Sequence, residues 1–176
     1  MAVGSAATAA GLLVWTRRRV GPASPWFALA AVWLPMTALG TVSHVVPIRL
    51  PPRWHRLRPV ETDGRLHERL GVPVVKRLLR RGPATLFNPG LRLPAEPTPE
   101  RIDGLANRMC TAEASHVVAG AAALAGAAHA AARGRGRAAI WMLVLDVVVN
   151  GYPVLLQRYN RVLLLRRFGP PSPTER

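Results

Sequence analysis

Residues 112–156 read AEASHVVAGAAALAGAAHAAARGRGRAAIWMLVLDVVVNGYPVLL. Two apolar runs, Ala112 to Ala132 and Ala138 to Leu156, are joined by the five residues Arg133-Gly134-Arg135-Gly136-Arg137. A bilayer core about 30 Å thick takes roughly 20 helical residues to cross, and both runs are near that length. The first run is nearly all Ala, Val and Gly, so a helix buried in a soluble core competes with a membrane span. The second run, with Ile140-Trp141-Met142-Leu143-Val144-Leu145, tips the reading towards a membrane hairpin, since so short a turn makes its two helices antiparallel neighbours.

Working upstream, Pro25 to Ile48 is a third block of sufficient length, with Trp26, Trp33 and a Pro35 that membrane helices tolerate as a kink. Ala2 to Trp15 is shorter and diluted by Gly4, Ser5, Thr8 and Gly11. It covers only some 20 Å and is a marginal span. The basic cluster Arg17-Arg18-Arg19 follows this stretch instead of preceding it, which disfavours a cleaved signal peptide. The expectation is an all-α, small polytopic membrane protein with about four transmembrane helices, the first marginal, and a basic interfacial loop region.

Composition agrees. Of 176 residues, 49% are hydrophobic, and 24 Lys+Arg against 9 Asp+Glu give a formal charge of +15. That charge lies between the apolar blocks, as in membrane proteins, which argues against a nucleic-acid partner. All basic residues but Lys76 are arginine, a bias that fits high-GC codon usage alongside the abundant Ala, Gly and Pro. A single Cys110 excludes a disulfide scaffold and a zinc ribbon.

The chain then divides into N-terminal membrane helices (1–48), a basic loop region (49–111), a C-terminal hairpin (112–161) and a basic, disordered tail (162–176). Arg49 to Thr111 holds 13 of the 24 basic residues. Within it, Arg65-Leu66-His67-Glu68-Arg69-Leu70 and, after a Gly71-Val72-Pro73 break, Val74-Val75-Lys76-Arg77-Leu78-Leu79-Arg80-Arg81 interleave apolar and basic residues at helical spacing. This suits a helix lying over anionic lipid headgroups, or equally a solvated basic loop. Gly82 to Pro99 reads as irregular chain, and Pro170-Pro171-Ser172-Pro173 as disordered. Counting basic residues puts the central loop and C-terminus in the cytoplasm of a multi-pass cell-membrane protein, 18 against 6.

Ionisable groups at bilayer depth call for a partner or a purpose. Glu113 and His116 share a helix face that Gly120, Ala123 and Ala127 continue. Asp146, Asn150, Pro153, Gln157 and Arg161 form one stripe on the last helix, leading into Gln157-Arg158-Tyr159-Asn160-Arg161. Under this topology the two sets converge on one cytoplasmic-facing pocket. Each residue also has a structural reading: a packed histidine, snorkelling arginines, a belt tyrosine, and for Asp146 a hydrogen bond to Asn150. A lone Glu-x-x-His is weak as a metal site, and no cofactor is expected.

The run Gln157-Arg158-Tyr159-Asn160-Arg161, preceded by Asn150 and by Glu113-x-x-His116, resembles the glycosyl-4,4'-diaponeurosporenoate acyltransferases of carotenoid biosynthesis. Glu61-x-x-Gly64 and Lys76 match weaker elements of that family, and the resemblance covers roughly Val60 to Arg166. Val75 replaces a usual Trp, and His67 lies where an aromatic is common. The resemblance implies transfer of a fatty acyl group, with acyl-CoA as donor, to a sugar hydroxyl of a carotenoid glycoside or similar glycolipid.

On that reading His116 is the general base and Glu113 orients it. Asn150, Gln157 or Asn160 would donate to the developing oxyanion. Arg158, Arg161 and Lys76 would hold donor phosphates, with Tyr159 beside them. No cysteine or Ser-x-Gly elbow points to an acyl-enzyme, so direct transfer is expected. The alternatives are a non-enzymatic lipid-binding or scaffold subunit of a membrane complex, and acylation of a different polar lipid by the same pocket. Oligomeric state is not written in the sequence.

Overall fold

The computed structural model describes residues 2–43, 46–81 and 93–169. Among them the protein is all-α: α1 (Ala2–Val20), α2 (Pro25–Ser43), α3 (Pro52–His55), α4 (Arg65–Arg69), α5 (Val72–Arg81), α6 (Pro99–Ala132), α7 (Gly136–Asp146) and α8 (Tyr152–Phe168). Three helical stretches, Pro25–Ser43, Pro99–Ala132 and Gly136–Phe168, are long and apolar enough to cross a membrane, as befits an all-α membrane protein. The marginal first block forms a full helix, but it runs on through Arg17, Arg18 and Arg19 and does not reach span hydrophobicity.

Helix α6 begins at Pro99, well before the Ala112 expected from apolar content. Its first turn carries the reason. Thr98 Oγ1 accepts the Arg101 N–H at 3.4 Å, and Pro99 opens the helix where its missing N–H costs nothing. The expected irregular stretch from residue 82 lies largely outside the described residues. Of the expected disordered tail, residues 162–168 instead continue α8, whose apolar Val162, Leu163 and Leu164 keep it helical, and 170–176 lie outside the described residues.

Two compact units make up the chain, residues 1–48 with 114–154 and residues 49–113 with 155–176. In the first, α1 packs on α2 and α2 on α7. Its core is built from small side chains: Ala28 and Val32 of α2 meet Ala123, Ala127, Ala130, Ala138, Ala139 and Met142. Such thin helices approach closely, and that close packing is what apolar helices rely on in lipid. The α6–α7 turn uses Gly134 at φ +70°, a conformation open to glycine.

A π-helical turn, Val147–Gly151, links α7 to α8. Pro153 cannot donate to the carbonyl four residues back, that of Val149, so a local widening there suits the chain.

The second unit gathers short elements. A 3₁₀ turn, Pro59–Glu61, leads through Gly64 (φ +72°) into α4, and Gly71 (φ +73°) separates α4 from α5. Val72, Leu156 and Tyr159 are buried together against Leu79, Leu155 and Leu163. On its other side α5 exposes Val74, Arg77 and Leu78, so the interleaved pattern does form an amphipathic helix.

Candidate functional site

The second unit holds a buried ionic network at its centre. Arg158 of α8 places its guanidinium side-on against Glu61, Nε to Oε1 at 2.7 Å and Nη2 to Oε2 at 2.6 Å. Nη1 donates to Glu113 Oε1 at 2.8 Å and to the Trp54 carbonyl at 2.9 Å, and Nη2 also donates to the Arg56 carbonyl at 2.8 Å. These contacts use all five guanidinium N–H groups. One turn on, Arg161 donates through Nη2 to Glu113 Oε2 and through Nη1 to the His55 carbonyl at 2.6 Å. Its Nη1 also lies 3.5 Å from Cys110 Sγ. Two carboxylates and two guanidiniums balance, which is how buried charge is tolerated.

His55 completes the cluster, with Nδ1 at 3.1 Å from Glu113 Oε2. The local sequence explains its position. Pro51-Pro52 starts a four-residue helix, too short to satisfy its own carbonyls, which are left for outside donors. Arg158 and Arg161 supply those donors to three successive carbonyls, those of Trp54, His55 and Arg56.

The Glu61-x-x-Gly64 element acquires a physical meaning here. Glu61 also accepts the Arg58 amide at 2.7 Å. Burial alone pushes its carboxyl up, but the hydrogen bond and charge of Arg158 and the Arg58 amide prevail, holding it below its ordinary value. Gly64 sits where a Cβ would meet Tyr159 and Arg166 at 3.5 Å, and its positive φ excludes most other residues.

His67, with no exposed surface, tilts against Tyr159 at 5.5 Å between ring centroids, as an aromatic would at that position. Burial pushes its imidazole pKa down, partly offset by the Glu61 charge and reinforced by Arg158. Neither ring nitrogen has a hydrogen-bond partner, the nearest carboxylate oxygen being Glu61 Oε1 at 3.8 Å.

The other residues expected at the site fall in different settings. Lys76 Nζ donates to Asn160 Oδ1 at 2.7 Å and lies 5.6 Å from the Tyr159 ring centre; both polar side chains are partly exposed. Tyr159 and Gln157 are buried, the latter with an unpaired Oε1. In the first unit His116 Nδ1 is 3.2 Å from Asn150 Oδ1, and Asn150 Nδ2 donates to Asp146 Oδ1 at 2.7 Å. Gly120 leaves room for this trio, since a Cβ there would come within 3.4 Å of Asn150.

Glu113 is thus paired with Arg158, Arg161 and His55, and His116 with Asn150. The sequence reading missed His55 altogether. Its only local signal is an imidazole following two prolines, and its partner is 58 residues away.

The first unit also contains a cavity of about 420 Å³, lined by Phe27 and Met142 together with Arg17, His129, Arg133 and Arg135. No acidic side chain lines it. Among the described residues, no group of three or more His, Cys, Asp or Glu is placed to hold a metal ion.

Residues 51–168 match the family model described as glycosyl-4,4'-diaponeurosporenoate acyltransferase. Neither a curated protein nor a solved structure matches the chain.

Proposed function

Proceeding from membership of the glycosyl-4,4'-diaponeurosporenoate acyltransferase family, to which the chain belongs, we propose that it moves a fatty acyl group from acyl-CoA to a sugar hydroxyl of a carotenoid glycoside or similar glycolipid. The family makes it an acyltransferase of carotenoid glycoside biosynthesis; the donor and the acceptor hydroxyl belong to the proposal. One observation carries it. Glu61, Glu113, Arg158, Arg161 and His55 all lie in the matched segment, and together they fix an imidazole beside a carboxylate. That is the equipment for removing a proton from a hydroxyl, which is a poor nucleophile until deprotonated.

Roles follow from which donors are committed. Arg158 has no N–H left for a ligand, so it and Arg161 are read as the frame of the site. Lys76 and Asn160, partly exposed and paired, are the better partners for donor phosphates and for the thioester oxygen as it gains charge. Gln157 and Tyr159 would form the wall behind them. His116 and Asn150 remain candidates for the proton transfer, taken up below.

In the cell membrane, α2, α6 and the α7–α8 stretch would be the passes. The central segment and C-terminus would face the cytoplasm, and the basic count is unchanged if α1 does not cross. Anionic lipid headgroups would meet the exposed face of α5 and the arginine-lined cavity of the first unit.

The test is lipid extraction from a host that makes the glycosylated carotenoid, with and without this gene, followed by mass spectrometry. A new species heavier by one fatty acyl group is expected. An unchanged lipid profile with the protein present in the membranes overturns the proposal.

A further inference from the structure

Glu113 accepts a guanidinium N–H on each oxygen, and a carboxylate so held can only accept from the imidazole facing it. In the neutral imidazole that contact puts the proton on His55 Nδ1 and the lone pair on Nε2. The His55 side chain keeps 16% of its surface exposed, against 3% for Glu113. Its backbone is fixed as well, because the carbonyls before, at and after His55 each accept a guanidinium N–H. A ring with a fixed tautomer, a fixed backbone and an accessible lone pair is pre-organised for proton transfer.

His116 offers a poorer setting. Its Nδ1 partner is the oxygen of a neutral amide, and the first unit contains one acidic residue, Asp146, already bonded to that amide. An imidazolium forming at His116 would touch no carboxylate in its own unit, whereas one forming at His55 touches Glu113.

Building on the acyl-transfer reading, we infer that His55 is the general base of the reaction and that Glu113 is its positioning residue. Nε2 takes the proton of the sugar hydroxyl as that oxygen attacks the thioester carbonyl carbon. A C–O bond forms, and the electron pair moves onto the carbonyl oxygen. On collapse the C–S bond breaks, and the departing thiolate takes the proton back from Nε2, leaving a free thiol and an ester. The imidazole ends as it began.

The experiment uses membranes holding the full chain, given palmitoyl-CoA and the carotenoid glycoside, with ester formation read by mass spectrometry between pH 5.5 and 9. Wild type is expected to slow on the acid side as the base protonates. His55→Ala should lower the rate by about 100-fold or more and flatten that acid limb. His55→Asn is the control for folding, since its side-chain amide can still donate to Glu113; it should accumulate normally and be as slow. His116→Ala should keep the acid limb of the wild-type profile.

Glu113→Gln, which leaves both arginines without their shared anion, is judged by its pH profile and not by its rate alone. The inference fails if folded His55→Asn works within threefold of wild type, or if His116→Ala is the variant that loses the acid limb. If wild-type membranes form no ester at all, the parent reading falls first and the assignment of His55 falls with it.

Discussion

Replacing Arg158 by Met keeps the aliphatic stem and removes the guanidinium, so the cost is electrostatic and not a cavity. Side-chain exposure is 11% for Arg158, 7% for Glu61 and 3% for Glu113, so water screens these charges little. Glu113 retains Arg161 and His55, but Glu61 keeps only the Arg58 amide. Stranding one buried charge costs about 3–5 kcal/mol. For a chain of this size each kcal/mol moves the melting temperature by about 2–4 °C, so a drop of about 6–20 °C is expected.

Arg158→Met/Glu61→Leu leaves no stranded charge at Glu61 and should melt above the single variant, with a coupling of about 1–3 kcal/mol. Arg158→Lys, a point charge unable to fork around one carboxylate while reaching the other, should fall between wild type and Arg158→Met. Melting in detergent followed by tryptophan fluorescence is suitable, because the Trp54 carbonyl is itself an Arg158 acceptor. A shift under about 2 °C for Arg158→Met, or a double variant no better than the single one, would refute the claim that Glu61 depends on this guanidinium.

Acid should weaken the second unit in two stages. His67 and Glu61 both sit below their ordinary values of 6.5 and 4.5, so the folded state binds fewer protons than the unfolded one. Their stabilisation is therefore complete above those values and is lost first below about 6.5 and then below about 4.5. His67→Phe should abolish the upper stage in melting curves taken from pH 8 to 5. Gly64→Ala should cost about 1–2 kcal/mol from its left-handed backbone, since the added carbon meets its neighbours only at ordinary contact distance; thermal melting checks this. Asn150→Leu leaves the Asp146 carboxylate and the His116 Nδ1 without their side-chain partner and should cost about 1–3 kcal/mol, while changing all three to apolar residues should restore the melting temperature.

Apolar run lengths carried much of the fold. They located α2, the hairpin and its turn; helical spacing raised α5 as one of two equal readings, the other a solvated loop, and suggested the Asp146–Asn150 bond four residues apart. What they could not locate was the start of α6. Its first turns carry Glu100, Arg101, Asp103 and Arg108, so a search for apolar length sees nothing there, although Thr98-Pro99 is a recognisable helix entry. The ionic network was hidden for a different reason. Arg158 and Glu61 are 97 residues apart and His55 and Glu113 are 58 apart, and periodicity reports only on neighbours along one element. Glu113 and His116 share a helix face, but that spacing says only that they point the same way, and each found a better partner elsewhere.

The Gln157-Arg158-Tyr159-Asn160-Arg161 run shows how little freedom such a segment has. A helix advances 100° per residue, so five consecutive positions sweep its whole circumference. Arg158 and Arg161, three apart, fall on one side and grip Glu61 and Glu113. Tyr159 packs beneath His67 and against Val72, Gln157 is buried, and Asn160 reaches Lys76. No position in the run is fully exposed, so every substitution disturbs bonded or packed surroundings. The specificity of the run is therefore that of a framework, and reactivity is assigned to the partly exposed group the framework holds. A residue fixed by others and itself bonded to few is where chemistry has room to occur, and in this unit that residue is His55.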